Sequence, residues 1–259
     1  MKKLLKLFSF ACLSGLILAS CEKETELNAP AEMVGADKAL LKINYVSAYA
    51  KNPSVHLKLN DVRVSNVITS RTPFPGGGYN TGGGSANDYL AVNPGNINVK
   101  VAIPNAGKNT DSVELFSTAV NLLQGKNYTA HITDTGANTQ VVLVEDILTR
   151  PDTGQARFKF IHLMPDVPAL DLYYGSTKVA SNIPYLGVSP YFDMPVPSAN
   201  AAWTIRPAGA PFSDPALATY TSGNTTLSTR VYTAFATGYG SQTGSTNTRR
   251  PFISFMLNN

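Results

Sequence analysis

Apolar residues in most of this chain recur at every second position rather than every third or fourth. Val55, Leu57 and Leu59 alternate with His56 and Lys58, and Ile97, Val99, Val101 and Ile103 alternate with Asn98, Lys100 and Ala102. Period two sends successive side chains to opposite faces, so these segments are predicted strands. Gln140–Val144, apolar at every position from Val141 on, reads as a strand buried on both faces. Only Leu115–Leu123 has a helical look. Turn pairs such as Asn60-Asp61 and Gly175-Ser176 punctuate the pattern at the spacing of a β-sandwich.

The pattern occurs twice. Ile43 lies over Phe158, Tyr45 over Phe160, Pro53 over Pro168, Leu57 over Leu172 and Leu59 over Tyr174, all without a gap. Further on, Tyr89-Leu90 matches Tyr191-Phe192, Ile103–Gly107 matches Ile205–Gly209, and Tyr128-Thr129-Ala130 matches Tyr232-Thr233-Ala234. Blocks repeated in the same order indicate a tandem duplication. The predicted fold is therefore all-β: two tandem antiparallel β-sandwiches of the immunoglobulin or transthyretin kind, residues 38–150 and 154–259, with a turn-rich boundary at Arg150–Gly154. A closed barrel shared by both copies is the alternative. The first copy carries extra residues in a Gly-rich insertion at 68–88. Trp203 aligns with Val101 and is expected in the core.

The start of the chain has a different character. Lys2, Lys3 and Lys6 precede an apolar stretch from Leu7 to Leu18, followed by Ala19-Ser20-Cys21. Residues 1–20 read as an export signal, too short to span a membrane. The small residues before Cys21 resemble the lipobox of bacterial lipoproteins, which implies cleavage before Cys21 and acylation of that cysteine. Acyl chains contribute about 0.8 kcal/mol per buried CH₂ and anchor a protein without a spanning helix. Residues 21–37 then form a polar tether, and Glu22-Lys23-Glu24-Thr25-Glu26 resembles the surface-export signal of some Gram-negative lipoproteins. The expected partner is the membrane, and the expected location is the outer membrane, with display at the cell surface.

The signal changes the meaning of the composition. Among 259 residues, 21 are basic and 17 acidic, a formal charge of +4. Three of the basic residues leave with residues 1–20, so 18 remain against 17 acids. Lys and Arg never run longer than two, and no nucleic-acid partner is expected. Cys12 leaves as well and Cys21 carries lipid, which excludes thiol chemistry in the mature chain. Charged residues are only 15% of the chain, well below the usual quarter or so, which disfavours long charged helices.

The second copy opens with Phe158-Lys159-Phe160-Ile161-His162-Leu163-Met164-Pro165-Asp166-Val167-Pro168-Ala169-Leu170-Asp171. This stretch resembles the opening of the bacterial family called domain of unknown function 4397 (DUF4397), with His162, Pro165, Asp166, Pro168 and Asp171 at its characteristic positions. Leu163 and Met164 depart from the family's small residues, and the first copy keeps only Pro53. The resemblance implies a β-rich, secreted or lipidated, often tandem module with no established activity. His162, Asp166 and Asp171 are candidate ligand or metal residues, since a turn can bring an imidazole near two carboxylates. The plain alternative is that Asp166 binds turn amides and His162 is a satisfied strand-end residue.

Other motifs carry less. Asp134-Thr135-Gly136 and Asp152-Thr153-Gly154 spell the aspartic-protease triplet, but both fall in or just after one copy rather than facing each other, and turn use explains them. The Gly-rich Pro73–Ser85 has no Lys-Ser or Lys-Thr after it, so it is not a phosphate loop. It is expected to be a floppy insertion or a flexible ligand loop with Phe74, Tyr79 and Tyr89 as stacking surfaces. Asp111-Ser112-Val113 resembles a short bacterial O-glycosylation signal, or is simply a surface loop. No nucleophile elbow and no paired glutamates are present. No catalytic residue, cofactor or metal is expected. The chain is predicted to be a non-enzymatic binding or adhesion module for a glycan or surface protein; the alternatives are a hydrolase using His162 and its aspartates, or a structural subunit of an envelope assembly.

Overall fold

The computed structural model describes residues 36–106, 108, 110–196, 201–222 and 226–259; the export signal, Cys21 and most of the tether lie outside them. The alternating segments form strands. The first copy contributes β1 (Ala39–Tyr45), β2 (His56–Leu59), β3 (Val62–Arg63), β4 (Thr72–Phe74), β5 (Gly78–Tyr79), β6 (Leu90–Val92), β7 (Gly95–Pro104), β8 (Asp111–Leu122), β9 (Asn127–Thr133) and β10 (Gln140–Glu145). The second contributes β11 (Gln155–His162), β12 (Ala169–Tyr174), β13 (Thr177–Pro184), β14 (Phe192–Pro195), β15 (Ala202–Pro207), β16 (Ala218–Thr221), β17 (Val231–Thr237) and β18 (Phe252–Leu257).

These strands make four sheets, none of them a barrel. The first copy has an outer sheet β3-β2-β7-β8 and an inner sheet β10-β9-β1-β4, with β6 also paired to β1. The second has an outer sheet β13-β12-β15-β16 and an inner sheet β14-β11-β17-β18, extended by β5 of the first copy. Leu41 and Ile43 meet Leu57, Val99 and Val101 in the first core. Phe158 and Phe160 meet Leu172, Trp203 and Ile205 in the second. Trp203 is fully buried, its ring 5.0 Å from that of Phe158 and 5.2 Å from that of Phe255. Burial of each such side chain contributes roughly 1.5–3 kcal/mol.

Four details differ from the sequence reading. Each inner sheet contains a parallel pair, β1 with β9 and β11 with β17, because the chain builds the outer sheet and returns in its original direction; alternation alone is blind to strand direction. Leu115–Leu123 is not helical. It belongs to β8, where pairing with β7 steps from Phe116 to Glu114, and this bulge at Leu115 disturbs the alternation. Asp111–Val113 accordingly opens a strand rather than a loop. The insertion 68–88 forms β4 and β5, and β5 pairs with β18 across the copy boundary, Tyr79 opposite Phe255. Lastly, Leu41, not Ile43, is equivalent to Phe158: Leu41 pairs with Tyr128 and Leu90 where Phe158 pairs with Tyr232 and Phe192. A two-residue slip leaves every side chain on the same face, so the apolar pattern does not detect it.

That correction aligns Lys42 with Lys159, and the two inner sheets meet through these positions. On β1, β9, β11 and β17 one face fills a core, while on the other Lys42, Asn44, Thr129, His131, Thr133, Lys159, Thr233 and Thr237 are buried between the sheets. Their bonds are reciprocal. Lys42 Nζ donates to the Leu257 carbonyl (2.7 Å) and Lys159 Nζ to the Glu145 carbonyl (3.2 Å); Thr133 Oγ1 donates to the Leu163 carbonyl and Thr237 Oγ1 to the Val46 carbonyl. Asp146 meets its counterpart Asn258 at 2.9 Å, and also takes Lys159 Nζ at 2.6 Å and Thr129 Oγ1 at 2.5 Å. Val46, Ile161, Leu163, Phe235 and Met256 form an apolar patch beside this layer. Ala36–Asn259 is thus one unit, a pair of sandwiches joined like two halves of a two-fold dimer.

Candidate functional site

His162 lies at the end of β11, fully buried. Its Nε2–H donates to the Val167 carbonyl (2.7 Å) and its Nδ1 accepts from the Met164 amide (3.2 Å). A protonated ring would set two donors against each other at Nδ1, and burial holds the pKa down at about 4 against the pull of Val167 and Asp166. Asp166, in the turn that follows, accepts from the Gly240 amide (2.7 Å) and the Ser241 amide (2.8 Å). Burial pushes its carboxyl up, but the bonds from Ser241 and Gly240 outweigh it and leave the pKa below the usual range. Asp171 on β12 accepts from the amides of Asn182 (2.7 Å) and Gly209 (3.2 Å) and pairs with Lys178 Nζ at 2.6 Å. Each of the three ties down a separate turn. Among the described residues no group of three His, Cys, Asp or Glu is placed to hold a metal.

The three aromatics proposed as a stacking surface are likewise separated. Phe74 packs on the first core and Tyr79 on the second, 6.1 Å from the ring of Tyr232. Tyr89 donates to Asp146 Oδ2 (3.0 Å) and carries Lys42 Nζ over its ring at 4.4 Å. They serve packing, because the insertion is a strap across the molecule rather than a free loop. Asp134 accepts from the Thr135 amide and the Tyr239 hydroxyl, each within 2.9 Å. It adopts a left-handed φ of 61°, matched by Gly238 at 91° in the second copy; both are turn positions.

The sequence reading missed the group that stands apart. A pocket of about 320 Å³ opens between the insertion of the first copy and the β17–β18 loop of the second. Arg71 and Arg250 line it, together with Asn52, Thr69, Thr81, Thr248 and Phe252. No Asp or Glu is among the lining residues, and neither guanidinium has an ion pair among the described residues. Both lie against the Phe252 ring, Arg71 at 3.5 Å and Arg250 at 4.1 Å from its centroid. Burial, and then the neighbouring Arg250, lower the pKa of Arg71 to about 10, and Arg250 Nε is buried without a hydrogen-bond partner. Arg71 itself is held at a left-handed φ of 64°, fixed by its amide on the Tyr45 carbonyl and by the Gly82 amide on its own carbonyl. A separate, more apolar groove of about 560 Å³ runs between edge strands β13 and β14, past Tyr174, Val179, Phe192 and Met194.

The family model for a domain of unknown function, DUF4397, matches residues 42–173 and 159–249. The chain belongs to the DUF4397 family. No curated protein matches it. The two DUF4397 matches overlap across β11 and β12, and the second begins at Lys159 in the interface layer. In this DUF4397 chain Asp166 has a structural task that links it to the pocket: by binding the amides of Gly240 and Ser241 it pins the base of the loop carrying Arg250. In the first copy Tyr49 does the same for the short β9–β10 turn, its hydroxyl accepting from the Gly136 amide at 3.0 Å.

Proposed function

We propose that this DUF4397 chain is a non-catalytic binding module, exported, lipid-anchored through Cys21 at the outer membrane and displayed at the cell surface, with a glycan or an envelope protein as ligand. One contrast carries the reading. His162, Asp166, Asp171 and Asp134 are all engaged by turn amides or neighbouring side chains, whereas Arg71, which donates to the Asn80 carbonyl, and Arg250 stand in a surface pocket without counter-charge among the described residues. A hydrolase needs groups free to exchange protons with its substrate. A binding site needs oriented donors in a concavity. The anchor rests on the pattern of residues 1–21, and among the described residues no helix is long and apolar enough to cross a membrane.

Expressed with its leader in a Gram-negative host, the chain is expected to incorporate labelled palmitate, and Cys21→Ala to abolish incorporation. Purified in detergent, it is expected to bind an isolated envelope fraction saturably while leaving the ligand's mass unchanged. Cleavage of the ligand, or the absence of saturable binding to polysaccharide and protein fractions alike, overturns the reading.

A further inference from the structure

The two segments that depart from the duplication come together in space. The later part of the insertion 68–88, with Thr81 and Gly82, is extra to the first copy, whereas Arg71 corresponds to Leu186, each with a left-handed φ and its amide on the carbonyl of Tyr45 or His162; the loop 238–251 between β17 and β18 is likewise much longer than its counterpart 134–139 between β9 and β10. Between them they build the Arg71–Arg250 pocket. Both are held in place rather than left loose. Asn80 Nδ2 donates to the Ile253 carbonyl (2.7 Å), and the Ser254 hydroxyl donates to the Asn80 carbonyl (2.6 Å). In the other segment the Asn247 side chain bonds Gln242 and the Arg249 amide, and Asp166 clamps the loop base. A rigid pocket that gathers two cations, several hydroxyls and no acid among its described residues has an unbalanced positive potential, which an anion would neutralise.

We infer that the Arg71–Arg250 pocket binds the anionic group of an acidic glycan, a uronate carboxylate or a sugar sulfate ester. The inference rests on the binding reading above and names the ligand class for that site. Arginine presents a planar fork suited to carboxylate and sulfate oxygens, and the hydroxyls of Thr69, Thr81 and Thr248 suit the sugar's own hydroxyls. A glycan is favoured over a bare ion because a second concavity, of about 450 Å³, continues from the first and shares Ser245 and Arg250 with it. That part is lined by Pro215, Leu217 and Pro251, an apolar strip for the C–H face of a neighbouring sugar. Arg250, at the junction, contacts both. The volumes together match those of ordinary small-ligand sites.

The test is calorimetric titration of the detergent-solubilised full chain with three probes: a uronate-containing disaccharide, the neutral disaccharide of the same linkage, and inorganic sulfate. The acidic disaccharide is expected to bind at least tenfold more tightly than either of the others, with affinity falling as salt rises. Arg250→Gln and Arg71→Gln are each expected to weaken it tenfold or more, Arg250→Lys to retain part of the affinity, and Asp166→Asn to weaken it by loosening the loop. Melting curves for each variant separate lost binding from lost folding, and Arg250→Lys serves if a glutamine variant does not fold. Equal binding of neutral and acidic sugars overturns the anion assignment, and undiminished acidic-sugar binding in the arginine variants overturns the site; both leave the binding reading standing. Binding of sulfate alone overturns the glycan. Failure of the binding reading looks different: no envelope fraction binds at all.

Discussion

Two histidines are held neutral by burial, and this gives the protein a defined acid sensitivity. Folded, the His162 imidazole takes a proton only near pH 4, whereas in the unfolded chain it does so near 6.5. The unfolded state therefore binds the extra proton, and stability falls as pH drops from about 6.5 to about 4, by at most about 1.4 kcal/mol per pH unit. His131, pushed down by burial and then by Lys159 and Lys42, adds to the same slope. Urea unfolding between pH 7 and 4.5 is expected to show this decline, and His162→Gln to flatten it; a midpoint independent of pH in that window contradicts the assignment. Trp203→Ala, which empties a site among Phe158, Tyr174 and Phe255, is expected to cost about 3–5 kcal/mol in the same experiment. The core position of Trp203 is legible in the sequence, because a residue flanked by alternating apolar positions in a duplicated strand has a core counterpart. The role of Asp166 is only half legible: two prolines announce a turn, but the amides that complete it belong to Gly240 and Ser241, far along the chain.

Among the elements, β5 shows what periodicity leaves out. Gly78 and Tyr79 are too short a run to read as a strand, and their partner β18 belongs to the other copy. A Gly-rich stretch with no visible partner looks like a loose loop. Its glycine is a requirement of close approach, since a Cβ at Gly78 would run into the carbonyl of Phe255. Gly78→Ala is expected to cost about 1–3 kcal/mol and to lower the melting temperature; an unchanged melting temperature would mean that the strap does not bind β18 in solution. Alternation named the strands β2 and β7 directly but was silent on strand direction, on the two-residue register between β1 and β11, and on β8, where a bulge interrupts it. These features depend on long-range pairing, which a local pattern does not encode.

At the scale of the whole molecule, the pair of inner sheets determines how the candidate pocket is assembled. Polar residues alternating with apolar ones on β1, β9, β11 and β17 look like the wet face of a sandwich, and burial of that face between two copies is visible only once the copies are docked. Asp146 pairs with Lys159 at 2.6 Å away from water, with the buried Lys42 within reach of its charge. Burial, opposed by Asp146 and Asp88 and reinforced by Lys159, lowers the Lys42 pKa to about 8. Removing the carboxylate leaves the buried Lys159 without its partner, so Asp146→Ala is expected to cost about 3–5 kcal/mol by chemical denaturation. A loss below about 1 kcal/mol would mean that the layer is hydrated. Because β5 crosses from the first copy to β18 while Asp166 pins the loop of the second, docking of the copies brings Arg71 and Arg250 together. The most direct measurement of the binding claim is amide hydrogen exchange of the full chain with and without a uronate-containing oligosaccharide. Slowed exchange confined to residues 69–82 and 240–252 is expected. Protection around the β13–β14 groove or the His162 turn instead, or no protection anywhere, would contradict it.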